Sequence, residues 1–170
     1  MSAVPVVVTD SWWRRRIVTP ILNQLRQGTT PERIALTAAL GAVIAVFPIL
    51  GSTTLLCGLA AWALRLNQPI IQLVNYLCYP LQFALLIPFW RAGEWFGAPH
   101  VSLSIPELMA RFEAAPLPFI REFASVALGG IAAWLLFAPL AATAIHFGLL
   151  PVLRRAASRL RRPAGPVVIG

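Results

Sequence analysis

The stretch that decides the fold is IALTAALGAVIAVFPILGSTTLLCGLAAWAL, residues 34–64, in which 31 consecutive residues carry no charge. About 20 helical residues cross the roughly 30 Å hydrocarbon core of a bilayer, so this stretch is too long for one straight crossing. In its centre Pro48 lacks a helical donor, Gly51 permits a left-handed backbone and Ser52 can cap a new helix. The sequence predicts two helices of about 14 residues joined by a tight turn, forming either a re-entrant hairpin or two tilted spans.

Two further runs lack charged residues, 66–90 with 25 residues and 123–153 with 31. The first is long enough to cross a bilayer once and is interrupted at Tyr79-Pro80. The second contains Pro139, which breaks or only kinks a membrane helix. Together the three runs predict an all-α integral membrane protein, a helical bundle with Pro/Gly-broken hairpins.

The composition supports a membrane location. Hydrophobic residues make up 58% of the chain and charged residues 12%, about half of the ~25% that is usual in soluble proteins. A soluble domain this small could not bury so much apolar surface, so the lipid bilayer is the expected partner. The net charge of +8 comes from Arg alone and is concentrated at the two ends, so no nucleic-acid binding is expected.

The positions of the arginines predict the topology. Residues 1–33 carry five Arg against two acids, residues 154–170 carry five Arg and no acid, and residues 91–122 carry three Arg against four Glu. The positive-inside rule therefore places both termini in the cytoplasm. The predicted segments are an amphipathic interfacial segment 1–28, a membrane core 29–98, an external loop 99–122, a C-terminal transmembrane segment 123–153 and a basic cytoplasmic tail 154–170.

The sequence lacks the combinations of residues that the usual catalytic and metal sites require. His100 and His146 are far apart, and no pair of carboxylates lies inside an apolar run. Cys57 and Cys78 lie in apolar runs and are expected to be small buried hydrophobic residues. We therefore expect no enzyme activity, no cofactor and no metal. His146 is expected to be a neutral side chain bonded to a nearby carbonyl or hydroxyl, although an ionisable group in a membrane is also a functional candidate.

The two predicted helix breaks are the strongest functional candidates. Discontinuous helices expose free N–H and C=O groups inside the membrane, and transporters use such ends to hold ions. A polar pocket would form if the two breaks meet, or the same side chains would only satisfy the freed backbone groups. The candidate residues are Pro48, Gly51, Ser52, Thr53, Thr54, Asn75, Tyr76, Tyr79, Pro80 and Gln82.

A second candidate site is the junction of two apolar runs. Arg65 with Asn67 is predicted to contact an anionic lipid headgroup. The alternative is an interfacial Arg that reaches toward the headgroups and caps the preceding helix, with Asn67-Gln68-Pro69 forming the turn.

Residues 28–97 resemble the bacterial membrane protein family of unknown function DUF2062. The matching residues are Gly28, Pro31-Glu32-Arg33-Ile34-Ala35-Leu36, Ala39-Leu40-Gly41, Pro48-Ile49-Leu50-Gly51, Arg65-Leu66-Asn67-Gln68-Pro69, Pro80 and Arg91-Ala92-Gly93. The family often has Asn before the central Pro, where this chain has Tyr79. The resemblance implies a bacterial inner-membrane protein, and because some members are joined to glycosyltransferase domains it also suggests envelope lipid or polysaccharide metabolism.

Two main functional hypotheses follow. One is a small transporter or flippase-like component for an ion, a small solute or an envelope lipid, with a homo-oligomer or a membrane-protein partner covering its polar backbone. The other is a non-catalytic scaffold or accessory subunit of envelope lipid or polysaccharide metabolism. A peripheral surface binder held by the Arg clusters is a third hypothesis, and its release from membranes by salt or carbonate would identify it.

Overall fold

The computed structural model describes residues 29–100 and 105–161, together with Thr19 and Asn23. The ordered elements in these ranges are α1 (Pro31–Ala45), α2 (Thr53–Ala63), α3 (Gln68–Leu77), α4 (Tyr79–Gly93), a 3-10 turn (Glu94–Phe96), α5 (Ile105–Ala114) and α6 (Pro116–Arg161). The described part of the chain contains no strand, and the prediction of an all-helical protein is confirmed for it. The predicted interfacial helix of residues 1–28 lies outside the described residues, as does the tail after residue 161.

The first break lies where the sequence predicts it. Thr30 caps α1 by accepting a hydrogen bond from the Arg33 amide at 3.4 Å, with Pro31 in the first turn. The helix ends at Ala45, three residues before Pro48, and Gly51 then adopts a φ of +81° in the turn. That left-handed conformation is strained for other residues, so glycine suits this position.

The two helices on either side of this break form a hairpin whose ends lie side by side. The guanidinium of Arg33, at the start of α1, donates a hydrogen bond to the carbonyl of Arg65, just after α2, at 3.2 Å. The chain therefore returns after α2 to the end of the molecule from which α1 started. At 1.5 Å per residue the two helices are about 22 Å and about 16 Å long.

The second break lies between α3 and α4 at Cys78, where the two helices meet with a bend of 64°. Asn67 caps α3 by accepting from the Ile70 amide at 3.1 Å. The bent pair carries the chain from the Arg33 and Arg65 end to the opposite end, where Gly93 packs against α6.

The last helix, α6, is longer than predicted. It starts at Pro116, within the segment that the sequence analysis assigned to a loop, because proline is well suited to a first helical turn. It continues through Pro139 and Pro151 to Arg161, so the charge-free run 123–153 contains no helix break. The rest of the expected loop contains α5.

Helix α6 packs along α1 and α4. At one end of α6, Leu150 and Leu153 pack with Ile34 and Ala35 of α1, and Arg154 pairs with Glu32 at 2.9 Å. The hydrogen bond and charge of Arg154 act with backbone hydrogen bonding to lower the pKa of Glu32. The start of α1 and the end of α6 therefore lie at the same end of the molecule.

Large apolar side chains cover much of the outside of this assembly. Leu136 and Leu140 of α6 are 69% and 71% exposed, and Trp62 of α2 is 78% exposed. One helix, Pro116–Arg159, is long and apolar enough to cross a membrane, with a mean hydropathy of 1.9 in its most apolar window. The bent pair Gln68–Leu77 and Tyr79–Phe96 passes the same test if it is counted as one span.

Candidate polar site at the hairpin tip

The turn between α1 and α2 exposes carbonyl groups that the helices no longer use, and distant side chains bond to them. Trp134 Nε1 donates to the Val43 carbonyl at 3.0 Å, and Gln82 Nε2 donates to the Phe47 carbonyl at 2.9 Å. Trp90 Nε1 reaches the Pro48 carbonyl at 3.4 Å. The hairpin tip is therefore held by α4 and α6 through side chains that replace missing backbone donors.

One further tip carbonyl is satisfied locally. The Ser52 hydroxyl donates to the Ile49 carbonyl at 2.8 Å and makes no side-chain cap of α2. Ser52 therefore stabilises the turn itself, which differs from the capping role that the sequence suggested.

A second polar contact joins α2 to α3. Asn75 Nδ2 lies 3.4 Å from both Thr54 Oγ1 and Gln72 Oε1, and Gln72 Nε2 donates to the Thr54 carbonyl at 3.0 Å. Asn75 is 1% exposed and its two bonds are partly buried, whereas the bond of Gln72 to the Thr54 carbonyl is exposed. The two predicted helix breaks are thus joined twice, by Gln82 at the tip and by Asn75 beside it.

Two buried acceptors in this region have no partner. The amide oxygens Asn75 Oδ1 and Gln82 Oε1 are inaccessible and make no hydrogen bond with the described residues. A buried polar atom without a partner is costly, and each instance in a native structure calls for an explanation such as a bound water, ion or ligand group. Amide oxygens accept hydrogen bonds and ligate hard cations, so these atoms suit a cation or an N–H or O–H donor.

The structure separates the predicted residues into two groups. Pro48, Thr53, Asn75 and Gln82 are buried around the two breaks, with Ser52 and Thr54 bonded at their edge. The remaining predicted residues, Gly51, Tyr76, Tyr79 and Pro80, are exposed, and the Tyr79 ring packs edge-on against Phe83.

Sequence reasoning missed Trp90 and Trp134 as partners of the tip. An indole N–H in an apolar segment needs an acceptor, and that is the signal that could have singled them out. Which carbonyl each one reaches depends on contacts across 42 and 91 residues of sequence. His146, the other polar candidate, has a buried Nδ1 without a partner among the described residues, and its ring packs edge-on against Phe147.

Arg65 and Asn67 lie at the other end of the hairpin, beside Arg33. Asn67 is the N-cap of α3, and Gln68 and Pro69 belong to the first turn of that helix and not to the turn that the sequence predicted over Asn67-Gln68-Pro69. Arg65 has a left-handed backbone with φ of 51°, and its amide and that of Leu66 donate to the Trp62 and Ala61 carbonyls at 3.3 and 2.8 Å. This is the Schellman pattern that ends a helix, so Arg65 closes α2 through its backbone.

The opposite end of the molecule carries a charged cluster. Glu94 Oε1 lies 3.0 Å from His100 Nδ1 and 3.1 Å from an Arg91 nitrogen. The hydrogen bond with His100, followed by that with Arg91, lowers the pKa of Glu94 below its usual value of 4.5. Among the described residues no group of three or more His, Cys, Asp or Glu side chains is placed to hold a metal ion.

These features define an all-helical protein whose helical hairpin is closed by tryptophan and amide side chains from two other helices. The chain belongs to the DUF2062 family, described as an uncharacterized protein conserved in bacteria, whose model matches residues 14–162. The match extends well beyond residues 28–97, on which the resemblance was based. Searches of curated proteins and of solved structures gave no match.

Proposed function

We propose that this chain is a multi-pass protein of the bacterial inner membrane with both termini in the cytoplasm. The bent pair α3–α4 crosses the membrane once, and α6 crosses it a second time. The exposed leucines of α6 support lipid contact, since water would be a poor solvent for them. The arginine excess near Pro31 and after Leu153 supports the orientation. Conservation of the family in bacteria is compatible with this membrane.

In this arrangement the hairpin α1–α2 enters from the cytoplasmic side and returns to it. Helices of about 22 Å and about 16 Å fall short of the roughly 30 Å hydrocarbon thickness. A turn at that depth must be covered by protein, and the bonds from Gln82, Trp90 and Trp134 supply that cover.

The function that the site supports best is a small transport or flipping component for an ion, small solute or envelope lipid. One observation carries this proposal: Asn75 Oδ1 and Gln82 Oε1, beside the two helix breaks, are buried acceptors without partners among the described residues. The C-terminal ends of α1 and α3 and the N-terminal ends of α2 and α4 all lie at these breaks, so free backbone acceptors and donors are both available there. The transported group would therefore be a small cation, or a solute or lipid headgroup with N–H or O–H donors.

Ion flux into proteoliposomes tests this proposal, with trapped dyes that report Na⁺, K⁺ or H⁺. We expect flux of at least one of these ions with the wild-type chain and none with Asn75→Leu, which removes the amide at similar volume. Tyr76→Phe is the matched control, because the exposed neighbouring hydroxyl lies outside the site. Equal flux with Asn75→Leu and wild type would contradict the site.

The second candidate function is a non-catalytic scaffold or accessory subunit, and one observation favours it. The carbonyls of Val43, Phe47 and Pro48 already have donors from within the chain, so part of the tip needs no ligand. A scaffold predicts copurification of a partner in fixed ratio, with no flux of any of the three ions. It also predicts that Asn75→Leu leaves partner binding unchanged.

A further inference from the structure

A cavity of about 160 Å³ lies between the start of α1 and the connection from α2 to α3, away from the hairpin tip. Its lining residues are Thr29, Arg33, Thr37, Arg65, Leu66 and Asn67. The hydrogen bond from Arg33 to the Arg65 carbonyl holds the two segments together at this point. Two arginines 32 residues apart in sequence thus line one concave surface.

Among the described residues, the lining of the cavity carries two arginines and no acidic side chain to balance them. Neither Arg33 nor Arg65 forms an ion pair with a carboxylate of the described residues. The nearest acid in sequence, Glu32, is paired with Arg154 instead. Two like charges on one concave surface raise the local potential and favour an anion there.

The backbone conformation of Arg65 indicates that the arginine side chain has a role other than ending α2. Arg65 occupies the left-handed position that ends α2, with φ of 51°, where glycine is the residue that fits without strain. Leu66 completes the motif by packing on Cys57 and Ala61. An arginine at this position strains the backbone, and its guanidinium forms no ion pair with a carboxylate of the described residues that would offset that strain.

We propose that this cavity binds a phosphate group through the guanidiniums of Arg33 and Arg65. A guanidinium presents paired donors that match phosphate oxygens, and four of the five Arg33 donors remain after its bond to the Arg65 carbonyl. The phosphate comes from an anionic lipid headgroup or from solution. This inference goes beyond the proposed transport site and does not depend on it.

The position of the cavity fits the headgroup source. It lies at the end of the molecule where Glu32 meets Arg154, the end that the proposed topology places at the inner membrane surface. Arginine side chains at that level can reach the headgroups while their apolar stems contact lipid tails.

The test measures lipid and phosphate binding to the purified full chain in an uncharged detergent. The probes are phosphatidylglycerol, phosphatidylcholine and inorganic phosphate, titrated by native mass spectrometry or calorimetry. The test variant is Arg33→Gln/Arg65→Gln, and the matched control is Arg155→Gln/Arg159→Gln, which removes the same charge from two exposed positions of α6. Arg65→Gln alone is the fallback if the double variant does not fold, because it keeps the same backbone strain.

We expect the wild-type chain to bind phosphatidylglycerol at least about tenfold more tightly than the Arg33→Gln/Arg65→Gln variant does. The control variant should stay within about twofold of wild type. Preference for phosphatidylglycerol, with no binding of inorganic phosphate, assigns the site to a lipid headgroup. Binding of inorganic phosphate that the same two substitutions remove assigns it to a soluble phosphate. Equal losses in test and control variants, or no binding of either anionic probe, would overturn the proposal.

Discussion

At the scale of single residues, Gln82 has the most demanding position. Its side chain is fully buried, and its Nε2 lies 2.9 Å from the Phe47 carbonyl and 3.5 Å from that of Ile49. Without this donor the partly buried Phe47 carbonyl would have no partner among the described residues, because the chain has left the helical ladder of α1 at Ala45.

Gln82→Leu should therefore destabilise the protein by about 1–3 kcal/mol, since it leaves a buried acceptor unpaired. Thermal unfolding in detergent, followed by tryptophan fluorescence, measures this change. Gln68→Leu is the matched control, because Gln68 bonds the Gly58 carbonyl from an exposed position and should cost less than about 0.5 kcal/mol. Equal losses at the two positions would argue against a special role of Gln82 in the tip.

Arg65→Gly should raise stability by about 0.5–1 kcal/mol, because glycine adopts the left-handed conformation at φ 51° without a clash of Cβ. The gain is smaller than the full strain because glycine also has more freedom in the unfolded chain. Arg65→Gln keeps the strain and should leave the midpoint of thermal unfolding near that of wild type. A lower midpoint for Arg65→Gly than for Arg65→Gln would contradict the backbone strain assigned to this position.

The sequence revealed residue roles where the chemistry is local. Pro48 and Gly51 predicted the first break because one lacks a donor and the other permits positive φ. Asn67 was recognisable as a turn residue, because its side chain bonds readily to nearby backbone groups, but its role as the N-cap of α3 was not predicted. The pairing of Trp134 with Val43 was not predictable, because it depends on how α6 packs against α1.

At the scale of elements, the contact between α4 and α6 depends on glycine. A Cβ on Gly129 would lie 2.7 Å from the Ala98 Cβ and 3.0 Å from the Gly93 carbonyl oxygen. A Cβ on Gly93 would lie 2.6 Å from the backbone carbon of Gly129, so the two helices touch through their main chains. Small residues permit this close approach between helices in membranes.

Gly129→Ala should destabilise the protein by about 1–3 kcal/mol, because the methyl group forces α4 and the following turn away from α6. Gly148→Ala, in the same helix, should be neutral or stabilising by up to about 1 kcal/mol, because no other atom lies within 4 Å of its added Cβ. The same unfolding assay compares the two variants. If Gly148→Ala lowered the stability as much as Gly129→Ala, the loss would come from reduced flexibility of α6. It would then not come from the close packing of α6 against α4.

Element boundaries were predictable where a break combined proline with glycine or a polar cluster. The bends before Thr53 and at Cys78 are of this kind. The start of α6 was not predictable, because its first turns carry Pro116, Pro118 and charged residues that are equally typical of a loop. The continuity of α6 through Pro139 also needed the structure, since a proline in an apolar helix is compatible with a break or with a kink.

At the scale of the whole molecule, the topology depends on which helix ends lie together. Glu32 and Arg154 form an ion pair, and Arg33 bonds to the Arg65 carbonyl, so the start of α1, the end of α2 and the end of α6 share one end. The sequence left open whether residues 34–64 form a re-entrant hairpin or two spans. The two helices are too short to cross about 30 Å each, and that favours the hairpin.

Labelling of single cysteines with a membrane-impermeant maleimide in intact cells tests this account most directly. The background is Cys57→Ala/Cys78→Ala, and the probe positions are Ala114→Cys at the end of α5, Ser158→Cys near the end of α6 and Leu50→Cys at the hairpin tip. We expect labelling at position 114 before lysis, at position 158 only after lysis, and at position 50 in neither case. Labelling at position 158 in intact cells would contradict the cytoplasmic location of the termini. Labelling at position 50 from the periplasm would contradict a hairpin α1–α2 that returns to the cytoplasmic side without crossing the membrane.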